Sequence, residues 1–474
     1  MTEKNKNGGY LLVQVLVFSA AGVIIIGGLI GWAGTSLKLS RYLASREQAF
    51  QIAEAGVEYY RWHLAHAPTD FHDGQGSSST GPYVHPYQDK DGNTLGQYSL
   101  VIAEPLIGST LVAITSTGEV FDGSNAKRIV ESKLAIPSLA KYAVGANAKM
   151  RFGEGTEVFG PIHSNDGVRF DGVAHNLITS AQASYDDPDY DDHYLEYGVH
   201  THDSPTDPFP PIAPPSCSDV FMAGRQFPVP AVDFTGLTAD LANLKTEANT
   251  ADGRYLSNSG DQGYHLILKT NDTFDLYKVT SVSSPPRGCS SSQTNWGTWS
   301  IKKESFIANY PFPVNGIIFV EDNVWVSGQI NTARLTIASG RFPESTNTNT
   351  SITVNNDLKY TNYDGQDVIG LIAQNNFNVG LDSEDDLQID AALVAKNGRV
   401  GRFYYGKDCG DEYKRHSLTL FGMIATNQRY GFAYVDDTGY ELRNLTYDGG
   451  LLYGPPPSFP LTSDQYQIIS WREK

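Results

Sequence analysis

The chain lacks charge where it is most informative: from Tyr10 to Leu37 there is no Asp, Glu, Lys, Arg or His. A run this long excludes an ordinary soluble segment, because about 20 apolar helical residues cross the hydrocarbon core of a bilayer. It also excludes a cleavable secretory signal, whose apolar core is shorter and ends at a small-residue cleavage site. The helical pattern continues through Leu39, Leu43, Phe50, Ala53, Val57 and Leu64, so the apolar segment and the first soluble helix read as one rod. Cysteine is scarce. Cys217, Cys289 and Cys409 lie far apart, without the paired spacing of a zinc or redox motif. In an exported protein one pair can close, and Cys217 with Cys289 is the preferred pair because both sit in Pro- and Ser-rich loops. Basic charge is in deficit, with 35 Lys and Arg against 53 Asp and Glu. No basic stripe carries interleaved aromatics, so no nucleic-acid partner is expected, and the acidity serves solubility. Neither a Gly-Xaa-Ser-Xaa-Gly elbow nor a phosphate-binding loop occurs.

A short polar leader with Lys4 and Lys6 precedes the apolar run and ends in Gly8-Gly9. The junction Gly9-Tyr10-Leu11-Leu12-Val13-Gln14-Val15-Leu16 resembles a type IV prepilin, a family in which a prepilin peptidase cuts after a glycine and leaves an aromatic residue first. The stretch from Ser45 to Glu58, above all Ala53-Glu54-Ala55-Gly56, resembles the helix of PilX-type minor pilins. The tail has a fainter likeness to the ends of large PilX-like surface proteins with β-helical bodies. The resemblance implies a leader over 1–9, a processing site at Gly9 and Tyr10, and a transmembrane and filament-core helix over 10–37. Its implied partners are the membrane, prepilin peptidase and other pilins or pseudopilins.

One position departs from the family. Where pilins place a glutamate that neutralises a neighbouring subunit's amine in the filament core, this chain has Gln14. An amide accepts a hydrogen bond but cannot cancel a charge, and an unpaired charge in an apolar core is costly. Gln14 therefore implies a tip-located or low-copy role. Lys4 and Lys6 place the leader in the cytoplasm and the C-terminus outside. The expected location is the cytoplasmic membrane before assembly, then a filament or the cell surface. Without cleavage the same residues read as a plain membrane anchor.

The rest reads as mainly β. Runs at Gln97–Glu104, Ser109–Glu119 and Lys127–Ile136 alternate apolar and polar residues, so 38–137 is expected to be a pilin-like helix plus an antiparallel β-meander, with a loop over 68–93. A recurring pattern then ends in Asn or Asp: Gly160-Pro161-Ile162-His163-Ser164-Asn165, Ile317 to Asp322, Gly370-Leu371-Ile372-Ala373-Gln374-Asn375, Ala392 to Asn397 and Gly422 to Asn427. Such repetition predicts a parallel β-solenoid whose corners use Asn for its tolerance of left-handed backbone, with a β-sandwich as the alternative. The expected order is a first solenoid part over 138–203, a Pro-rich linker and helix-containing insertion over 204–306, the main solenoid over 307–443 and a capping segment over 444–474.

Chemistry is sparse in this pattern. The run holding Asp186, Asp187, Asp189, Asp191 and Asp192 is weighed as a weak calcium site against a solvated turn, since it lacks the glycine and terminal glutamate of an EF-hand. Asp382 to Asp386 reads as a charged corner. His200 and His202, at strand spacing, could join His193 in a metal site, against exposure in a loop. No cofactor is otherwise expected and no catalytic residue is assigned. The expected function is a non-enzymatic minor pilin or pseudopilin serving filament assembly, adhesion or secretion, with a surface glycan or cell-surface molecule as possible ligand. The alternatives are a membrane-anchored β-helix enzyme acting on polysaccharide and a non-pilus attachment protein.

Overall fold

A computed structural model of the chain describes residues 8–138, 140–189, 194–232, 234, 241–291, 293–461 and 465–474. The protein is mainly β, with one long N-terminal apolar helix, an antiparallel sheet and a large parallel sheet. It divides into two compact units, Met1–Glu104 with Val112–Ala135 and Gln465–Lys474, and Pro105–Leu111 with Ile136–Asp464.

The first unit is built on helix α1, Gly8–His66, whose 59 residues extend about 89 Å at 1.5 Å per residue. Its N-terminal half is exposed, whereas Ala49, Ile52, Ala53, Val57, Tyr60 and Leu64 are buried at three- and four-residue spacing. They face an antiparallel sheet of β1 Tyr83–Gln88, β2 Thr94–Ala103, β3 Val112–Val120 and β4 Lys127–Ala135. Small residues set how closely helix and sheet approach. A Cβ on Gly56 would lie 2.4 Å from Ser116 Oγ, and one on Gly118 would lie 2.1 Å from the Ala49 carbonyl oxygen. The Ala-Glu-Ala-Gly stretch is thus the helix side of a close backbone packing.

Two segments differ from expectation. Strand β1 lies inside the stretch read as loop; among the described residues it pairs with β2 at the edge of the sheet, a position at which Pro86 can forgo its missing N–H. Residues 444–474 do not form one cap. Gly439–Tyr447 is a strand of the parallel sheet, Leu451 and Phe459 pack on that sheet's outer side, and Gln467–Glu473 pairs antiparallel with β4.

In the second unit the chain winds through parallel ladders. One ladder runs in space through Arg225–Gln226, Ile178–Ser180, Ile162–Ser164, Val144–Ala146, then the ends of Lys414–Thr426 and Asp386–Ala395, then Val368–Ala373, Arg334–Ser339, Ile317–Val320 and Arg254–Leu256. Spatial order is not chain order. The chain enters mid-ladder at Val144, builds outward to Gln226, reappears at the far end at Arg254 and winds back until Ile424 pairs with Val144. The expected insertion therefore contains ladder strands of its own, Arg225–Gln226 and Arg254–Leu256, and a meander of Gly263–Lys269, Thr273–Val282 and Ile301–Pro311.

Both faces of this ladder are buried. In Val368–Ala373 the side chains of Ile369, Leu371 and Ala373 enter the inner core, while Val368 and Ile372 join an outer cluster with Phe319, Ala338, Val394 and Met423. Helix α2, Leu241–Ala248, covers that outer cluster with Leu241, Leu244 and Ala248. Two-sided burial explains why the strands read as near-continuous apolar runs.

The corner asparagines are not used as expected: Asn165, Asn375, Asn397 and Asn427 are absent from the positive-φ residues. Instead the amides of Asn165 and Asn427 form a short stack with that of Asn147. Asn165 Nδ2 donates to Asn147 Oδ1 at 2.9 Å and Asn147 Nδ2 to Asn427 Oδ1 at 3.0 Å, so each amide meets the one on the next rung. The expected Cys217–Cys289 pair is also corrected. Cys289 bonds Cys409 across a separation of 120 residues, beside Phe403, Tyr405 and Trp299, and Cys217 is free and buried.

Candidate functional site

Two regions carry functional character. The first is the exposed half of α1, where Tyr10 is 76 % and Ile24 74 % exposed. An 18-residue window of this helix has a mean hydropathy of 2.4 and none of it is buried, so it is long and apolar enough to cross a membrane. Gly9 lies in the first turn of α1, and Tyr10 and Gln14 share one exposed face one turn apart.

The second is an open cavity of about 1070 Å³ in the parallel-ladder unit. Arg151, Arg169, Arg399, Arg429, Tyr430 and Tyr434 contribute to its walls. Carboxylates answer the guanidinium groups: Arg169 Nε donates to Asp171 Oδ2 at 2.7 Å, and Arg429 Nη1 to Asp189 Oδ1 at 3.1 Å. Ion pairing of this kind fixes the loops that carry these side chains.

The acidic run is split at this cavity's edge. Asp186 is exposed, Asp189 pairs with Arg429, and Asp187 is buried; Asp191, Asp192 and His193 lie outside the described residues. Asp187 instead faces His200 and His202. It follows the strand Ser184–Asp186, which pairs antiparallel with Leu195–Tyr197, while Val199–His200 pairs parallel with Val168–Arg169. His200 Nε2 lies 3.6 Å from Asp187 Oδ2 and 4.0 Å from Glu196 Oε2, and His202 Nε2 lies 3.1 Å from Glu196 Oε1. Arg169 Nη1 stands 3.6 Å from Asp187 Oδ2. Burial pushes the Asp187 carboxyl up, but His200, the backbone N–H of Asp189 and Arg169 outweigh it and hold it at about 2. One ligand atom each from Asp187, His200 and His202 fall within 4.8 Å of one another, a grouping that could hold a metal ion.

Sequence reasoning missed the buried arginines. Arg402 is fully buried and donates to the carbonyls of Gly380, Leu381 and Glu412 and to Ser383 Oγ, holding turns of neighbouring rungs together. Arg334 does the same for Gly365 and Gly454, and Arg443 for Glu154 and Tyr440. No local signal marks them, because an arginine that bonds carbonyls needs no acidic partner in the sequence.

No family model matches the chain, and no curated protein matches it. Among solved structures, the crystal structure of the competence-associated pilin ComZ from Thermus thermophilus is similar at 13 % identity and a TM-score of 0.28, covering 91 % of this chain and 97 % of that one. At that identity and score the likeness decides nothing about function.

Proposed function

We propose that the chain is a non-enzymatic, pilin-like protein of a filament or secretion apparatus, placed at the tip or in low copy. The observation that carries this reading is the uncharged, wholly exposed half of α1, which continues into a helix packed on an antiparallel sheet. A surface this apolar needs lipid or other apolar helices around it. Gly9 and Tyr10 are the processing site, prepilin peptidase the processing partner, and other pilins or pseudopilins the neighbours of the helix. Gln14 replaces a charge-neutralising glutamate, which suits a subunit with no further subunit above it. The parallel-ladder unit is the part presented outside, and its cavity offers arginine and tyrosine side chains to a surface glycan or cell-surface ligand.

The reading predicts that Gly9→Trp blocks maturation, so that the variant accumulates in the membrane at full length while the parent chain is shortened. Immunoblotting of membrane and surface fractions checks this; equal lengths for parent and variant would contradict it.

A further inference from the structure

We infer that Asp187, His200 and His202 form a site for one divalent first-row transition-metal ion, with zinc the ion its donors suit and Glu196 the carboxylate that positions His202. Two imidazoles and a carboxylate are a common zinc donor set, and imidazole is favoured by zinc over calcium or magnesium. Donors bound at about 2.0 to 2.2 Å around a tetrahedral ion stand about 3.4 Å apart. The 3.6 Å between His200 Nε2 and Asp187 Oδ2 is close to that spacing, and small side-chain shifts bring in the third donor.

A second observation is independent of this grouping. His200 has no exposed surface, yet neither of its ring nitrogens has a hydrogen-bond partner, and Oδ2 of Asp187 has none either. Buried polar atoms are normally satisfied, and His200 Nε2 and Asp187 Oδ2, both unsatisfied and 3.6 Å apart, call for a partner between them. A simple ion pair would bring one imidazole N–H to hydrogen-bond distance of a carboxylate; here the nearest carboxylate oxygens stand 3.6 and 4.0 Å away. Arg169 does not fill the gap either: its Nη1 stands 3.6 Å from Asp187 Oδ2, beyond hydrogen-bond distance, while its Nε is held by Asp171 at 2.7 Å.

The backbone around the histidines is fixed from outside. Thr201 N–H donates to Asp207 Oδ2 and His202 N–H to Asp171 Oδ1, each at 2.9 Å, and Asp207 is itself clamped by Arg225. Pinning of this kind sets ring orientation before an ion arrives. Because His202, Arg169 and Asp171 also line the open cavity, an ion has a path from solvent. Bound there, it would tie the hairpin of Ser184–Asp186 and Leu195–Tyr197 to the ladder strand Val199–His200.

The test uses the full chain in detergent, stripped with EDTA, dialysed against zinc chloride or calcium chloride and analysed for bound metal. One zinc per chain is expected, with a rise in thermal midpoint, and with tenfold or greater loss of affinity in H200Q and D187N. Cobalt loaded into the unsubstituted chain should show the visible bands of a four-coordinate nitrogen and oxygen site, a readout that survives if a variant misfolds. A parent chain that retains no zinc, takes calcium instead, or matches correctly folded variants in zinc affinity would overturn the inference.

Discussion

Gly118 has no room for a side chain. A Cβ there would lie 2.1 Å from the Ala49 carbonyl oxygen and 2.5 Å from the Ala53 nitrogen, both backbone atoms of α1 that cannot rotate away. Gly118→Ala should therefore destabilise the first unit by about 1–3 kcal/mol, the usual cost of overpacking. Gly153→Ala, with nothing within 4 Å, is the control and should change stability by less than about 0.5 kcal/mol. Denaturant midpoints of the two variants distinguish the cases. Asp390 gives a pH signature. Burial pushes its carboxyl above the usual range, against hydrogen bonds from Tyr363, the Tyr360 N–H and Gln388. Because the folded value is raised, the unfolded chain gives up the proton first, and this group's contribution to stability falls as pH rises from about 4. Unfolding measured between pH 4 and 7 should show a shallower decline in Asp390→Asn. At this scale the sequence was partly legible. The His200–His202 spacing pointed to one face of a strand and Asp187 stood in the acidic run already weighed, but Glu196, the carboxylate that His202 meets, carried no local signal, because the pairing of Ser184–Asp186 with Leu195–Tyr197 is what brings it there. Cys409 was no obvious partner for Cys289, since the ladder rather than loop composition decides which corners meet.

Among the elements, α2 shows why the outer side of the ladder must be covered. Leu244 is buried against a cluster that includes Phe319 and Ile372, so Leu244→Ala should cost about 2–5 kcal/mol, with transfer and cavity terms both contributing. Thermal unfolding of the variant checks this, and a loss below about 0.5 kcal/mol would mean that the outer face needs no cover. The repeating apolar pattern from Gly160 to Asn427 was legible because each rung must present the same inward face. The meander strands after β1 were legible by their alternation, and β3 retains it from Val112 to Val120. Strand order was not legible. A chain that starts mid-ladder and returns to pair Ile424 with Val144 leaves no local mark of the jump, because Arg225–Gln226 and Arg254–Leu256 are too short to show a period.

For the whole molecule, the exposed apolar half of α1 governs where the protein can exist. Its hydropathy was the clearest signal in the sequence, and the structure leaves that surface without any cover. The antiparallel sheet that packs on the same helix takes its last strand, Gln467–Glu473, from the chain's far end, so the parallel-ladder unit is an excursion between β4 and that strand. Such a route lets a large second unit be carried by the chain without interrupting the helix. The proposal stands on how that helix begins. The most direct test is the mass of the N-terminal peptide of the protein isolated from its native membrane. A peptide starting at Tyr10 is the predicted result; one that still carries Met1 or Thr2 would contradict the pilin-like account and leave a plain membrane-anchored surface protein.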